Sequence, residues 1–379
     1  MELYIHIPFC VRKCAYCDFL SAPADQETIR RYMECLEKQL VKQAVSFQTK
    51  IIDTVFIGGG TPTILQIGQM ERLLAAVSEH FVLKEDAEIT VEANPGTITP
   101  GKARVLVDGG VNRVSIGLQS ALEQELRLLG RIHTYNDFLR SYMLLREAGI
   151  RNLNVDLMSA LPGQTAASYE KTLHQVLSLH PEHISAYSLI IEEGTPFYEQ
   201  YREDELLREA GKMPRLLPDE ESERAMYELT GSLLADYGYE RYEISNYARA
   251  GFACRHNIGY WTGAEYLGLG LGASSYIEET RFCNTPVLAE YLAEDFAPRE
   301  VQHLSKSERM AEFFYLGLRM SAGVAKADFV HRFGLSAEAV YGDVLRGLIA
   351  EELLAEARTH YRLTPFGRDV SNQVLYRFL

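Results

Sequence analysis

The chain has 379 residues, 47% apolar and 24% charged, enough for one large core with a smaller one beside it. No apolar stretch approaches a membrane span, and a formal charge of −14 opposes the cationic face that a nucleic-acid binder needs. The N-terminal "MELYIHIPFC" carries no export signal, which predicts a cytoplasmic protein whose six cysteines serve as metal ligands, redox groups or buried thiols rather than disulfides.

In chain order, six β-branched runs predict strands: "ELYIHI", "DTVFIGG", "EITVEAN", "RVSIGLQ", "NLNVDLM" and "HISAYSLI". Between them, amphipathic periodicity predicts helices over "QETIRRYMECLEKQLVKQA", "GQMERLLAAVSEHF", "TYNDFLRSYMLLREAG" and "AASYEKTLHQVLSL", with Pro100 and Gly101 opening another. Six β/α units imply a parallel sheet, open and doubly wound or barrel-like. The unusual residues follow the strands: a cysteine run after the first, then "GGGTPT", "EANPGT", "GLQS", "DLMSALPGQT" and "EEGTPF". Polar and glycine-rich chemistry at every strand end is the pattern of a (β/α) active-site face.

After about residue 195 the alternation stops. The stretch "YREDELLREAGKMPRLLPDEESER" reads as an exposed, charged, helix-rich connection. An aromatic and glycine-rich segment, "YEISNYARAGFACRHNIGYWTGAEYLGLGLGASSY", follows it. From about Leu304 the pattern is helical with a possible short hairpin, in the manner of a winged helix. The expected division is 1–195 for the β/α core, 196–300 for the connecting segment and 301–379 for a C-terminal helical domain.

Cys10, Cys14 and Cys17 form C-x3-C-x2-C on a loop, while Cys35, Cys254 and Cys283 are scattered and read as small buried hydrophobes. Structural zinc wants four ligands, and only His6 lies near as an extra. A cubane iron–sulfur cluster also ordinarily takes four cysteines, so three leave one iron with an open coordination position. "CVRKCAYC", with Tyr16 before the last cysteine, resembles the signature of the radical S-adenosylmethionine (SAM) superfamily. The resemblance implies a [4Fe–4S] cluster on Cys10, Cys14 and Cys17, SAM on the open iron, an electron donor, and reductive cleavage of SAM to methionine and a 5′-deoxyadenosyl radical. It also implies a partial (β/α)6 TIM-like barrel, here followed by a smaller α/β segment and the mainly helical C-terminal domain.

"FIGGGTPT" lacks the Gly-Lys-Ser/Thr ending of a phosphate loop. Its Gly58, Gly59, Gly60 and Thr61 would let main-chain groups approach a ligand, or simply make a tight turn. Glu92, Gln119, Arg131 and Asp156 sit at or beyond strand ends, where a buried polar group needs a partner or a ligand. The motif order resembles the oxygen-independent coproporphyrinogen III oxidases. That resemblance implies that Tyr4, Gly59, Gly60, Thr61, Glu92, Gln119, Arg131 and Asp156 neighbour SAM or the cluster. Arg131 would meet the SAM carboxylate, and Glu92 and Asp156 its ammonium or ribose.

Two departures from the oxidase pattern point to a subgroup. Phe19 stands where the oxidases have a further cysteine, and nine residues precede Cys10 where they carry a longer segment. Both features resemble HemW-type haem chaperones, which bind haem and pass it to acceptor proteins. His256, Asn257, Tyr260 and Trp261 match the H-N-x-x-Y-W motif associated with haem in that group. A neutral imidazole is a good axial ligand and neighbouring rings can pack on a porphyrin, with Cys254 a lesser candidate. On its residues alone, His256 would read as a structural histidine. The reading favoured by the resemblance is a haem chaperone with no catalytic residue assigned; the alternatives are a porphyrinogen oxidase or a radical SAM enzyme on another substrate, of which RNA fits poorly with the charge.

Overall fold

The computed structural model describes residues 1–379. Its first six strands are β1 (Glu2–Ile7), β2 (Ile51–Gly59), β3 (Val82–Ala93), β4 (Arg113–Gln119), β5 (Asn152–Ser159) and β6 (His183–Ser188). They lie side by side in chain order and all parallel, with a helix in each crossover. The six predicted strands are all present. β3 begins earlier than its hydrophobic pattern, because Val82 and Leu83 pair with Ile51 and Ile52 of β2 ahead of a register shift that leaves the exposed Lys84, Glu85 and Asp86 unpaired.

The strands alternate with period two, so one face of each is apolar and the other polar. Leu3, Ile5 and Ile7, Val55 and Ile57, Val114, Ile116 and Leu118, and Leu153, Val155 and Leu157 all lie in a 53-residue core with the covering helices. The helix Gln26–Ser46 supplies Tyr32, Met33, Leu36 and Leu40 to it, and Ala166–Leu177 supplies Tyr169, Leu173 and Val176. Thr134 and Thr165 begin their helices as capping boxes, which explains those sharp starts. The intervening residues, among them Glu2, Thr54, Glu88, Glu92, Arg113, Ser115, Asn154, Asp156 and His183, turn to the concave side. The barrel interior is therefore polar.

β1 and β6 do not pair with each other, so the barrel is open. Beyond β6 the sheet continues through β7 (Glu240–Arg241) and β8 (Asn246–Ala248), with β8 antiparallel to β6. Beyond β1 it continues through β9 (Tyr266–Leu269), β10 (Ser274–Ile277), β11 (Thr280–Cys283) and β12 (Arg299–His303). Tyr247, Leu267, Leu269, Tyr291 and Phe296 belong to the same core as β1–β6. Within residues 196–300, side chains from Met226 to Phe296 join that core, while Phe197, Tyr201 and Leu217 pack in a smaller cluster with Leu129, Met158, Leu161 and Leu189.

The C-terminal residues build a second core of 16 side chains under the helices Lys306–Gly317, Lys326–Phe333 and Ala337–Ala350. A small sheet of β13 (Val324–Ala325), β14 (Leu354–Glu356) and β15 (His360–Leu363) completes it, β14 and β15 forming the expected hairpin. No helix is long and apolar enough to cross a membrane. Phe314 is fully buried at the centre of this core and stacks on Phe378 at 4.4 Å. Phe314→Ala is expected to cost roughly 3–5 kcal/mol, seen as an early transition in a thermal melt; an unchanged melt would contradict this packing.

Candidate functional site

The cysteine loop is anchored on both flanks at the C-terminal mouth of the barrel. Cys10 N–H donates to the Ala22 carbonyl at 3.2 Å, and His6 Nε2 bonds the Leu20 carbonyl at 2.8 Å. On the other flank Ala15 N–H donates to Leu129 at 3.1 Å and Phe197 N–H to Ala15 at 3.0 Å. Held this way, Cys10, Cys14 and Cys17 line one cavity of about 110 Å³ with Tyr16, Gly59, Gly60, Glu92, Gln119, Arg131 and Asp156.

Each strand end delivers one of these groups for a physical reason. A Cβ on Gly60 would stand 2.5 Å from the Phe9 carbonyl oxygen, and one on Gly59, which has φ +110°, would meet the His6 ring at 2.5 Å. The close approach that the glycines allow is made first by the protein's own cysteine loop. Glu92 Oε2 accepts from Gly59 N–H at 3.0 Å, and burial with Asp156 nearby pushes its carboxyl up to about 8. Asp156 accepts from Ser115 Oγ at 3.0 Å and Asn154 Nδ2 at 2.7 Å, and burial raises its pKa too. Gln119 adopts left-handed φ +71° where the β4–β5 register shifts, a strained ending that carries its side chain to the cavity. Arg131 donates to Asn94 Oδ1 at 2.7 Å and to the Gly117 carbonyl, and its Nη1 lies 3.5 Å from Cys14 Sγ.

The donor set suits the groups implied by the sequence. No three His, Cys, Asp or Glu side chains converge closely enough to hold one metal ion. The three free thiols instead surround a shared cavity, as a cluster requires when each thiolate takes a different iron. Arg131 Nε is buried without an acceptor, so a guanidinium N–H remains for an incoming carboxylate. Glu92 and Asp156 are acceptors for an ammonium or hydroxyls.

Tyr4 and Thr61 stand behind the wall. Tyr4 OH bonds His6 Nδ1 at 2.9 Å, and Thr61 Oγ1 lies 3.6 Å from Cys10 Sγ while accepting from Asn94 Nδ2 at 2.7 Å. Asn94 and His6 organise the site, and the sequence does not single them out as SAM neighbours. Asn94 follows Glu92 in "EANP", where alternation along β3 would have flagged it. Phe19 sits at the rim, 67% exposed.

The "HNIGYW" residues lie at the other end of the barrel. Glu2, Thr54 and Glu88 form one row across β1, β2 and β3, and Gly58 comes four residues later on β2, about 13 Å along the strand. The helix Arg255–Thr262 plugs this N-terminal end. The residue before the helix, Cys254, offers no side-chain cap, so the Glu88 carboxylate accepts from Arg255 N–H at 3.0 Å and His256 N–H at 3.2 Å. His256 is 1% exposed, with Nδ1 on Thr54 Oγ1 at 2.7 Å, Nε2 on Tyr260 OH at 3.0 Å and its ring stacked on Phe56 at 5.1 Å. Burial holds its pKa down to about 3, so the ring is neutral. Asn257 is partly buried on the same helix, and Tyr260 and Trp261 face a cleft toward the C-terminal helices. The structure thus gathers the cysteines and most SAM candidates at one cavity and places His256 away from it, with both ring nitrogens engaged.

Residues 4–176 match the model of the radical SAM superfamily, and residues 304–370 that of the HemN C-terminal domain. Proteins named Heme chaperone HemW align end to end: 38% identity in Lactococcus lactis, covering 99% of this chain and 96% of that one, and 36% in Bacillus subtilis, covering 99% and 98%. The chain belongs to the HemW family of the radical SAM superfamily. The solved coproporphyrinogen III oxidase HemN of Escherichia coli shares the fold, with a TM-score of 0.84 at 23% identity over 100% of this chain and 89% of that one. The partial barrel and helical C-terminal region expected of a radical SAM protein are both present.

In this HemW-family chain, Gly60→Ala forces a Cβ into the Phe9 backbone and should lower the iron bound after anaerobic reconstitution; full iron content would show that the loop does not depend on that contact. Glu2, beside His256, is pushed from 4.5 up to about 8 by burial, with Glu88 and Asp53 adding to it and the N-terminal amine opposing. Its proton is held more tightly in the folded chain, so the stability it contributes is complete below 4.5 and is lost as pH rises through about 8. The melting temperature should therefore fall from about pH 6 to about pH 9, and Glu2→Gln should flatten that slope.

Proposed function

We propose that this protein binds haem and transfers it to acceptor proteins, on a radical SAM scaffold that carries a [4Fe–4S] cluster and SAM. The observation that carries this reading is the end-to-end alignment with several relatives named Heme chaperone HemW, at up to 38% identity. The cysteine-lined cavity supports the cofactor half of it.

In this reading Cys10, Cys14 and Cys17 hold the cluster. Arg131 binds the SAM carboxylate through its unpaired edge, while Glu92 and Asp156 take the ammonium or ribose hydroxyls and Gln119 closes the wall. When bound, the cluster and SAM supply one-electron chemistry, and the protein supplies position and exclusion of solvent. The partners would be haem, a haem-accepting protein and an electron donor, all meeting the chain in the cytoplasm. If His256 ligates the iron, Nε2 must exchange the Tyr260 hydroxyl for the metal. That exchange requires the barrel floor to open.

The deciding experiment mixes anaerobically reconstituted, haem-loaded protein with a haem-free acceptor and follows the Soret band, in parallel with a coproporphyrinogen III decarboxylation assay. Haem should move to the acceptor with no porphyrinogen turnover. Conversion to protoporphyrinogen, or haem that never leaves, would overturn the chaperone reading. Cys14→Ala should abolish the brown iron–sulfur absorbance; retention of a full iron complement would contradict the three-thiolate site.

A further inference from the structure

We propose that the cleft between the helix Arg255–Thr262 and the C-terminal helices is the porphyrin seat, with His331 on its rim as the axial ligand; this rests on the haem-binding reading above. Size points to the cleft first: it holds about 640 Å³, within the range of roughly 300–1,000 Å³ typical of ligand sites. The cleft also lies between the two hydrophobic cores, where one body can move against the other.

Its walls suit a planar, largely apolar ligand and carry charges of both signs, Arg281, Arg309 and Arg332 beside Glu265, Glu279, Glu312 and Asp328. Trp261, Tyr266, Phe313 and Phe333 line it and offer flat apolar surface. The Trp261 indole N–H is buried without an acceptor. His331, in the last turn of the helix Lys326–Phe333, is exposed to the cleft and has no hydrogen bond within the chain. A free imidazole can bind iron without first breaking a protein contact, which His256 cannot do.

Arg332 supplies the matching cation. Its guanidinium lies 5.6 Å over the Phe313 ring, and a Cβ on Gly263 would come within 3.2 Å of its Nη1. Arg281 and Arg309 line the same cleft but are already paired, with Glu312 at 2.9 Å and with Glu279. Arg332 has no ion pair and is the guanidinium left for a propionate. The neighbours Tyr260 and Trp261 both border the cleft, and Tyr260 also reaches inward to His256.

The test titrates the full chain with hemin and, separately, with metal-free protoporphyrin IX, monitored by absorbance and fluorescence. His331→Ala should weaken hemin binding roughly tenfold or more and shift the Soret band, with added imidazole restoring it, while protoporphyrin binding stays unchanged. Arg332→Glu should weaken both ligands without moving the Soret band. Circular dichroism confirms that each variant is folded, as expected for exposed positions. Hemin affinity and spectrum unaltered in His331→Ala, with the wild-type chain binding hemin, would overturn this site and leave the chaperone reading standing. Failure of the wild-type chain to bind hemin would overturn both.

Discussion

The architecture depends on keeping charge inside a parallel barrel. Arg113 is 2% exposed on the concave face, and a guanidinium cannot shed its proton to escape burial. The carboxylates Glu88 and Asp156 act on it electrostatically against the cost of that burial, so β3, β4 and β5 must converge around it. The rest of the interior is then forced to be polar and hydrogen-bonded. His183 bonds Asn154, Asn154 bonds Ser115 and Asp156, and Ser115 bonds Asp156. Parallel strands are usually apolar on both faces; these alternate because their inner face is a binding interior.

The same requirement explains how the two ends of the barrel differ. At the N-terminal end Glu88 accepts from the N–H groups that open the Arg255–Thr262 helix, which closes the floor. Gly259 makes the plug possible, because a side chain there would overlap the Glu2 carboxyl. At the C-terminal end Glu92, Asp156 and Arg131 keep unsatisfied capacity, and the cysteine loop lies across them. Glu88 caps a helix, whereas Glu92 and Asp156 are hydrogen-bonded by the protein and also face a cavity.

Much of this is readable in the sequence because it is local. Strand boundaries follow from β-branched runs, helix starts from threonine caps, and the polar residues after each strand mark the face that Glu92, Gln119, Arg131 and Asp156 do share. What stays hidden depends on partners far along the chain. β9–β12 are only four or five residues long, and the pairing of β9 with β1 is what joins them to the main sheet. The charged stretch after residue 195 reads as solvent-facing, yet Asp204 accepts from the backbone N–H groups of Arg215, Leu216 and Leu217, and Tyr201 and Leu217 are buried. His256 reads as structural on its residues and as a ligand only through the resemblance, and the partner that holds it, Thr54, lies 202 residues away where the sequence does not show it. The cleft holding His331 exists only once the two cores are packed.

A continuous column of packed rings joins the cysteine cavity to the cleft. His6, which braces the cysteine loop through Leu20, touches Tyr4 at 5.9 Å; Tyr4 stacks on Phe56 at 6.3 Å, Phe56 on His256 at 5.1 Å, His256 meets Tyr260 at 4.8 Å and Tyr260 meets Tyr266 at 4.8 Å. Tyr266 is a wall of the cleft. Close-packed rings have little free volume, so a displacement at one end must be taken up by the next ring or by a broken hydrogen bond. Tyr4–His6 and His256–Tyr260 are the two polar joints in that column, each a single bond about 3 Å long. They are the places where the column can yield without exposing apolar surface. The column runs along the barrel's inner face, and buried His256 is its central member, in contact with Phe56 on one side and Tyr260 on the other.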